Sequence, residues 1–145
     1  MNTPLSSSPI TVAEIGSFSI GGHVRAVTGQ TPKRVSVARN GPDRLVDLNG
    51  DHVTGQCYVH FTRLDEPKSA CSLTFWHGGA MTGVTWETTP DGRPGWQMYF
   101  LRQGYDVYVC DAMERGRSGW SPYPEIYTEP PIFRTLDEAW CLFRM

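Results

Sequence analysis

The sequence is poor in the features that would mark a membrane protein, a metal protein or a nucleic-acid binder. No apolar run approaches the ~20 residues that a bilayer span requires. The opening MNTPLSSSPI has no charged n-region and no apolar h-region, so no signal peptide is read and a cytoplasmic setting is expected. Cysteine is scarce. Cys57, Cys71, Cys110 and Cys141 are far apart, and without a C-x-x-C pair a structural zinc site is not indicated. His23, His52, His60 and His77 lie 29, 8 and 17 residues apart, a spacing that gives no shared helical face for a metal. Charge of one sign is also missing. Lys and Arg number 13 against 15 Asp and Glu, for a net charge of -2, with no basic block to follow a phosphate backbone. Neither cofactor, metal, nucleic acid nor membrane is therefore expected as a partner.

What is present suits one domain with a core. The chain has 145 residues, 39% of them hydrophobic and 12% aromatic. Residues 1–15 begin rich in Ser and Pro and are expected to be a flexible N-terminus, with the fold carried by residues 16–145. Ser17–Ile20 and His23–Val27 alternate on either side of Gly21-Gly22, which predicts a β-hairpin. Arg34–Val37 predicts a short strand and Gly55–Phe61 another. Cys71–Trp76 is continuous enough to predict a strand buried on both faces.

After that strand comes His77, and Gly78 to Gly92 then form a loop with four glycines and one proline, opening on Gly78-Gly79. A helix is predicted from about Pro94 to Gln103, with Trp96, Tyr99 and Phe100 on one face and Gly104 as its left-handed stop. Tyr105–Cys110 predicts a second apolar strand, closed by Asp111. Strand, loop, helix and strand make a βαβ unit, which implies a right-handed crossover between parallel strands. The Pro- and Gly-rich segment beyond Asp111 is predicted to be irregular, and Thr135-x-x-Glu138 is a capping box opening a last amphipathic helix.

On its own, the His-Gly-Gly tripeptide has two readings. It is a tight turn after a strand, or a stretch of bare backbone whose N–H groups meet a developing anion, beyond the carboxyl end of a strand where ligands of open α/β sheets bind. His77 there suits a loop-holding role better than that of a base. Asp111 at a strand end is read as a structural acid. The rings of Trp120, Tyr123, Tyr127 and Phe133 give the irregular segment an apolar side that could cover a site.

The order of these pieces resembles the N-terminal half of an α/β-hydrolase. H-G-x follows a strand, a helix and the next strand come after, and Asp111-Ala112-Met113-Glu114-Arg115-Gly116-Arg117-Ser118 is similar to that family's D-x-x-G-x-G-x-S loop, with Glu114 in place of the first glycine. The run from Thr82 to Arg93 is similar to a bacterial arylesterase-like subgroup. The resemblance implies a mixed, mostly parallel sheet with an N-terminal antiparallel hairpin, left incomplete in this chain. It further implies that the Gly79 N–H is one oxyanion-hole donor, with Ala80 as the alternative, and that His77 and Gly78 support the loop. Trp86 and Glu87 would lie beside the acyl pocket.

The same family places its nucleophile on a G-x-S-x-G elbow. No such elbow occurs here, and Ser118, in Gly116-Arg117-Ser118-Gly119, is one residue short of it. The triad is thus not in this chain. Two readings remain at this level. One is the oxyanion-loop part of a serine carboxylic-ester hydrolase, inactive alone, whose intact form takes a small ester. The other is a non-catalytic interaction module from a truncated hydrolase gene, self-associating through an exposed sheet edge.

Overall fold

A computed structural model describes residues 9–39, 41–130 and 132–143. Six strands and three α-helices are formed among them: β1 (Val12–Val27), β2 (Lys33–Ser36), β3 (Asp43–Val46), β4 (Gly50–Leu64), β5 (Leu73–Trp76), α1 (Val84–Glu87), α2 (Trp96–Gln103), β6 (Val107–Asp111) and α3 (Leu136–Phe143). Four strands make one sheet in the order β1-β4-β6-β5, and β2 and β3 form a separate antiparallel pair.

The βαβ unit is realised. β5 and β6 pair in parallel, with Leu73 opposite Val107 and Trp76 opposite Cys110. α2 makes the crossover and ends at Gly104 (φ 93°), whose N–H returns to the Leu101 carbonyl while that of Tyr105 returns to Phe100. The helix starts at Trp96 rather than Pro94. Pro94 bridges Thr88, and the Gly95 N–H bonds the Glu87 carbonyl, so the backbone is still extended at Gly95. Trp96, Tyr99 and Phe100 do share a face, with ring centroids 5.0–6.0 Å apart.

Three sequence expectations are corrected. The sheet is mixed, but its parallel strands do not predominate. β4 pairs antiparallel with both β1 and β6, and the helical crossover makes only the β5–β6 ladder parallel. The Gly21-Gly22 hairpin does not form either. Both glycines, at φ 75° and 87°, lie inside the 16-residue β1, across from Gly55 at φ 72°. Positive-φ glycines serve a tight turn or a kink within a strand equally well. Finally, Val12–Ile15 of the expected flexible start belong to β1, whose Val12 pairs with Leu64, while residues 1–8 lie outside the described residues.

The core lies where α2 covers the sheet. Leu64, Leu101, Val107 and Val109 are buried together, with Phe75, Trp86 and Phe100 packed on them. Burying each aliphatic side chain of this kind contributes about 1.5–3 kcal/mol. The opposite face holds a smaller cluster, Cys57, Val59 and Cys110. There Phe18, Ile20 and Trp76 remain exposed, so β5 is not buried on both faces as its sequence suggested. α3 has its capping box, with Thr135 N–H on Glu138 Oε2 (3.0 Å) and Glu138 N–H on Thr135 Oγ1 (3.2 Å), yet none of its residues is buried.

Candidate active-site loop

β5 ends at Trp76, and the chain then turns through His77, Gly78, Gly79 and Ala80. His77 is buried and bonded at both ring nitrogens. Nδ1 lies 2.8 Å from the Gly78 carbonyl oxygen, and Nε2 accepts the Ala112 N–H at 3.0 Å. An Nε2 that accepts leaves the proton on Nδ1, which therefore donates to Gly78. The imidazole is thus a strap between the loop after β5 and the first residue after β6. Nothing in this geometry leaves it free to take a substrate proton.

Beyond the strap the backbone is bare. Among the described residues the N–H groups of Gly79 and Ala80 have no hydrogen-bond partner, and a Cβ placed on Gly79 would meet nothing within 4 Å. Ala80 sits at φ 61°, in the left-handed region that a residue with a Cβ enters at a cost of about 1–2 kcal/mol. The turn is closed by Met81 N–H to the Gly78 carbonyl at 3.3 Å.

Asp111 fastens the far side. Its carboxylate, 1% exposed, accepts the Gly83 N–H (2.6 Å), the Arg117 N–H (2.8 Å) and Arg117 Nε (2.8 Å). Burial pushes this carboxyl up, but the Arg117 side chain and the two backbone N–H groups together hold it below the ordinary value. Arg117 also lies 4.6 Å over the Tyr58 ring and 3.0 Å from Glu87 Oε1. The latter contact is an ion pair without hydrogen-bond alignment, since Oε1 has no hydrogen-bond partner among the described residues. Glu87 therefore stands in the Asp111 network. Trp86 stacks on Phe75 at 5.3 Å, against the core.

Ser118 is occupied and the two buried thiols are suppressed as nucleophiles. Ser118 Oγ donates to the Asp111 carbonyl and accepts the Tyr58 N–H at 2.8 Å. Burial, reinforced by neighbouring Cys57, pushes the Cys110 thiol up to about 11, and burial likewise raises Cys57. A cavity of about 680 Å³ opens between α1 and α2, lined by Val84, Thr85, Pro90 and Trp96 among others. None of His77, Gly78, Gly79 or Ala80 lines it, so size alone does not make it the site. Sequence reasoning located the bare loop but missed the Ala112 partner of His77, the Glu87–Arg117 pair and the conformation of Glu114 (φ 62°). A signal existed for the last, because a glutamate at a glycine position of a loop motif must adopt whatever backbone the loop imposes.

No family model matches the chain. A fungal protein described as "Probable secreted lipase phiG" is 41% identical over 75 residues, which is 52% of this chain and 21% of the lipase. The structure of a bacterial esterase superposes with a TM-score of 0.66 at 35% identity, covering 82% of this chain and 34% of the esterase. The chain thus spans about a fifth of the one relative and a third of the other. Among the described residues no helix is long and apolar enough to cross a membrane. The fungal relative is called secreted, which lends the expected cytoplasmic setting no support. Over part of its length, the chain is related to esterases and lipases.

Proposed function

We propose that this chain supplies the oxyanion loop of a serine carboxylic-ester hydrolase. The observation that carries the reading is the pair of unpartnered N–H groups at Gly79 and Ala80, beyond the carboxyl end of a parallel strand. An ester carbonyl under attack gains negative charge on oxygen. Preorganised N–H donors stabilise that charge without reorganising at the moment of reaction. The His77 strap and the Asp111 network hold the donors in place. Gly79 is the donor and Ala80 the alternative, with His77 and Gly78 as loop support. Trp86 and Glu87 enter as the backing of the acyl side, not as reacting groups. The substrate is a small ester of the intact enzyme.

The nucleophile must come from residues outside this sequence, because no G-x-S-x-G elbow is in it. The chain alone is therefore inactive toward esters in this reading. The test is a chimaera in which this chain replaces the matching third of the bacterial esterase. It should hydrolyse 4-nitrophenyl acetate. Gly79→Pro, which deletes one N–H, should lower kcat about 10²–10³-fold with little change in KM. A Gly79→Pro chimaera as active as its parent sinks the proposal for Gly79, and an equally active chimaera in which lactic acid replaces Ala80, deleting its N–H while allowing φ 61°, also sinks the oxyanion reading.

A second reading is supported by β5, an edge strand of the described sheet, and by its exposed Trp76. In it the chain is an interaction module that pairs through this edge. Light scattering tests this pairing, since a monodisperse monomer at high micromolar concentration is incompatible with self-association through the edge.

A further inference from the structure

A second cavity, of about 400 Å³, opens beside the turn that follows β6. Its walls are apolar and largely aromatic: Met113, Trp120, Tyr123, Tyr127 and Ile132. Of the four rings that the sequence placed on one side of this segment, Phe133 is not among the lining residues. Met113 directly follows Ala112, the partner of the His77 strap, so the cavity adjoins the turn bonded to the bare loop.

Glu114 shapes this cavity. Its backbone is in the left-handed region, at φ 62°. A non-glycine residue held there costs about 1–3 kcal/mol and persists only where its surroundings determine it. Here they do. Its carboxylate accepts the Ser121 N–H at 2.8 Å, the Ser121 hydroxyl at 2.7 Å and the Tyr127 hydroxyl at 3.3 Å. One side chain thereby pins the loop beside Trp120 and again at Tyr127. Glycine at this position would free the backbone and lose all three bonds.

The volume and the lining restrict what fits. An apolar cavity of roughly 150 Å³ is enough for a benzene ring, so this one has room for a ring with a short substituent. Glu114 and Glu129 line it against a single Arg115, a net negative balance that disfavours a carboxylate-bearing guest. We propose that the cavity bounded by Met113, Trp120, Tyr123 and Tyr127 binds an uncharged ring-bearing group, and that Glu114 is the positioning residue that keeps it open. If the oxyanion-loop reading holds, that group is one half of the ester, seated beside the reacting carbonyl.

The test reads binding directly on the 145-residue chain, with no bond to cleave. ¹⁵N-labelled protein is titrated with benzyl alcohol, benzoate and benzyltrimethylammonium. Benzyl alcohol should shift amides confined to residues 112–132, and benzoate should bind at least about tenfold more weakly. Glu114→Gly should keep the melting temperature within a few degrees yet weaken benzyl alcohol about tenfold. Tyr123→Ala should weaken it with the pin intact, so the site remains testable if Glu114→Gly misfolds. Shifts scattered over the sheet, or none, overturn the site. Tenfold preference for the ammonium ion overturns the uncharged guest. Unchanged affinity in a folded Glu114→Gly overturns the role of Glu114. Each of these failures leaves the Gly79 proposal standing, and an active Gly79→Pro chimaera leaves this one standing.

Discussion

The loops that leave the carboxyl ends of β5 and β6 treat their polar groups in opposite ways. After β6, the Asp111 carboxylate is filled by Gly83 and Arg117, the Ser118 hydroxyl bridges Tyr58 and Asp111, and the Glu114 carboxylate is filled by Ser121 and Tyr127. After β5, the N–H groups of Gly79 and Ala80 have no partner among the described residues. Donors left idle beside so thoroughly bonded a neighbour are not a sign of loose folding. The bonded loop is tied to the bare one by Ala112 N–H to His77 and by Gly83 N–H to Asp111.

That contrast can be broken from either side, and the effects should differ in size. Asp111→Ala is the most damaging, because it strips a buried charge partner from Arg117 and orphans two N–H groups. We expect a loss of about 3–5 kcal/mol, read as a lower urea midpoint or the absence of a cooperative transition. His77→Ala cuts the strap and should cost about 1–3 kcal/mol, with amide exchange accelerating at Ala112. A smaller effect is expected in acid. Asp111 is held below the ordinary carboxylate pKa of about 3.9, so the unfolded chain takes up this proton first as pH falls. Its contribution is complete above that value and disappears as pH drops through the depressed folded one. The acid limb of the stability curve should therefore flatten in Asp111→Asn, and an unchanged limb would locate the acid sensitivity elsewhere.

The β5 side should respond differently. Gly79→Pro is expected to leave thermal stability nearly unchanged, within about 0.5 kcal/mol, because the deleted N–H bonds nothing. A drop of several degrees would mean that this amide has an internal partner. Ala80→Gly should be smallest of all. Relief of the left-handed strain is offset by the entropy that glycine loses on folding, about 0.5–1 kcal/mol. A clear stabilisation would reveal the strain as larger than its φ implies.

How much of this could be read beforehand follows the range of each interaction. The left-handed stop at Gly104 and the Thr135–Glu138 box were legible because each is complete within a few residues. The βαβ order was legible from alternating apolar runs and a helical aromatic face. The pairing around Gly21-Gly22 was not, because the glycine that turns a hairpin into a kinked strand is Gly55, on another strand. The bare loop could be seen in three letters, His-Gly-Gly. What holds that loop could not, since His77 meets Ala112 and Gly83 meets Asp111 only when the folded sheet brings the two strand ends together.

The kink in β1 and β4 has a mechanical consequence. Toward the core from Gly21, Gly22 and Gly55, β4 pairs on both sides; away from them, among the described residues, it pairs with β1 alone, as a ribbon that continues to Val27 and Gly50. Three adjoining glycines make a pivot there. A bend of the ribbon would be taken up at that joint before it reached the strands that end at Trp76 and Asp111. The outer arm is thereby mechanically separated from the loops that leave β5 and β6.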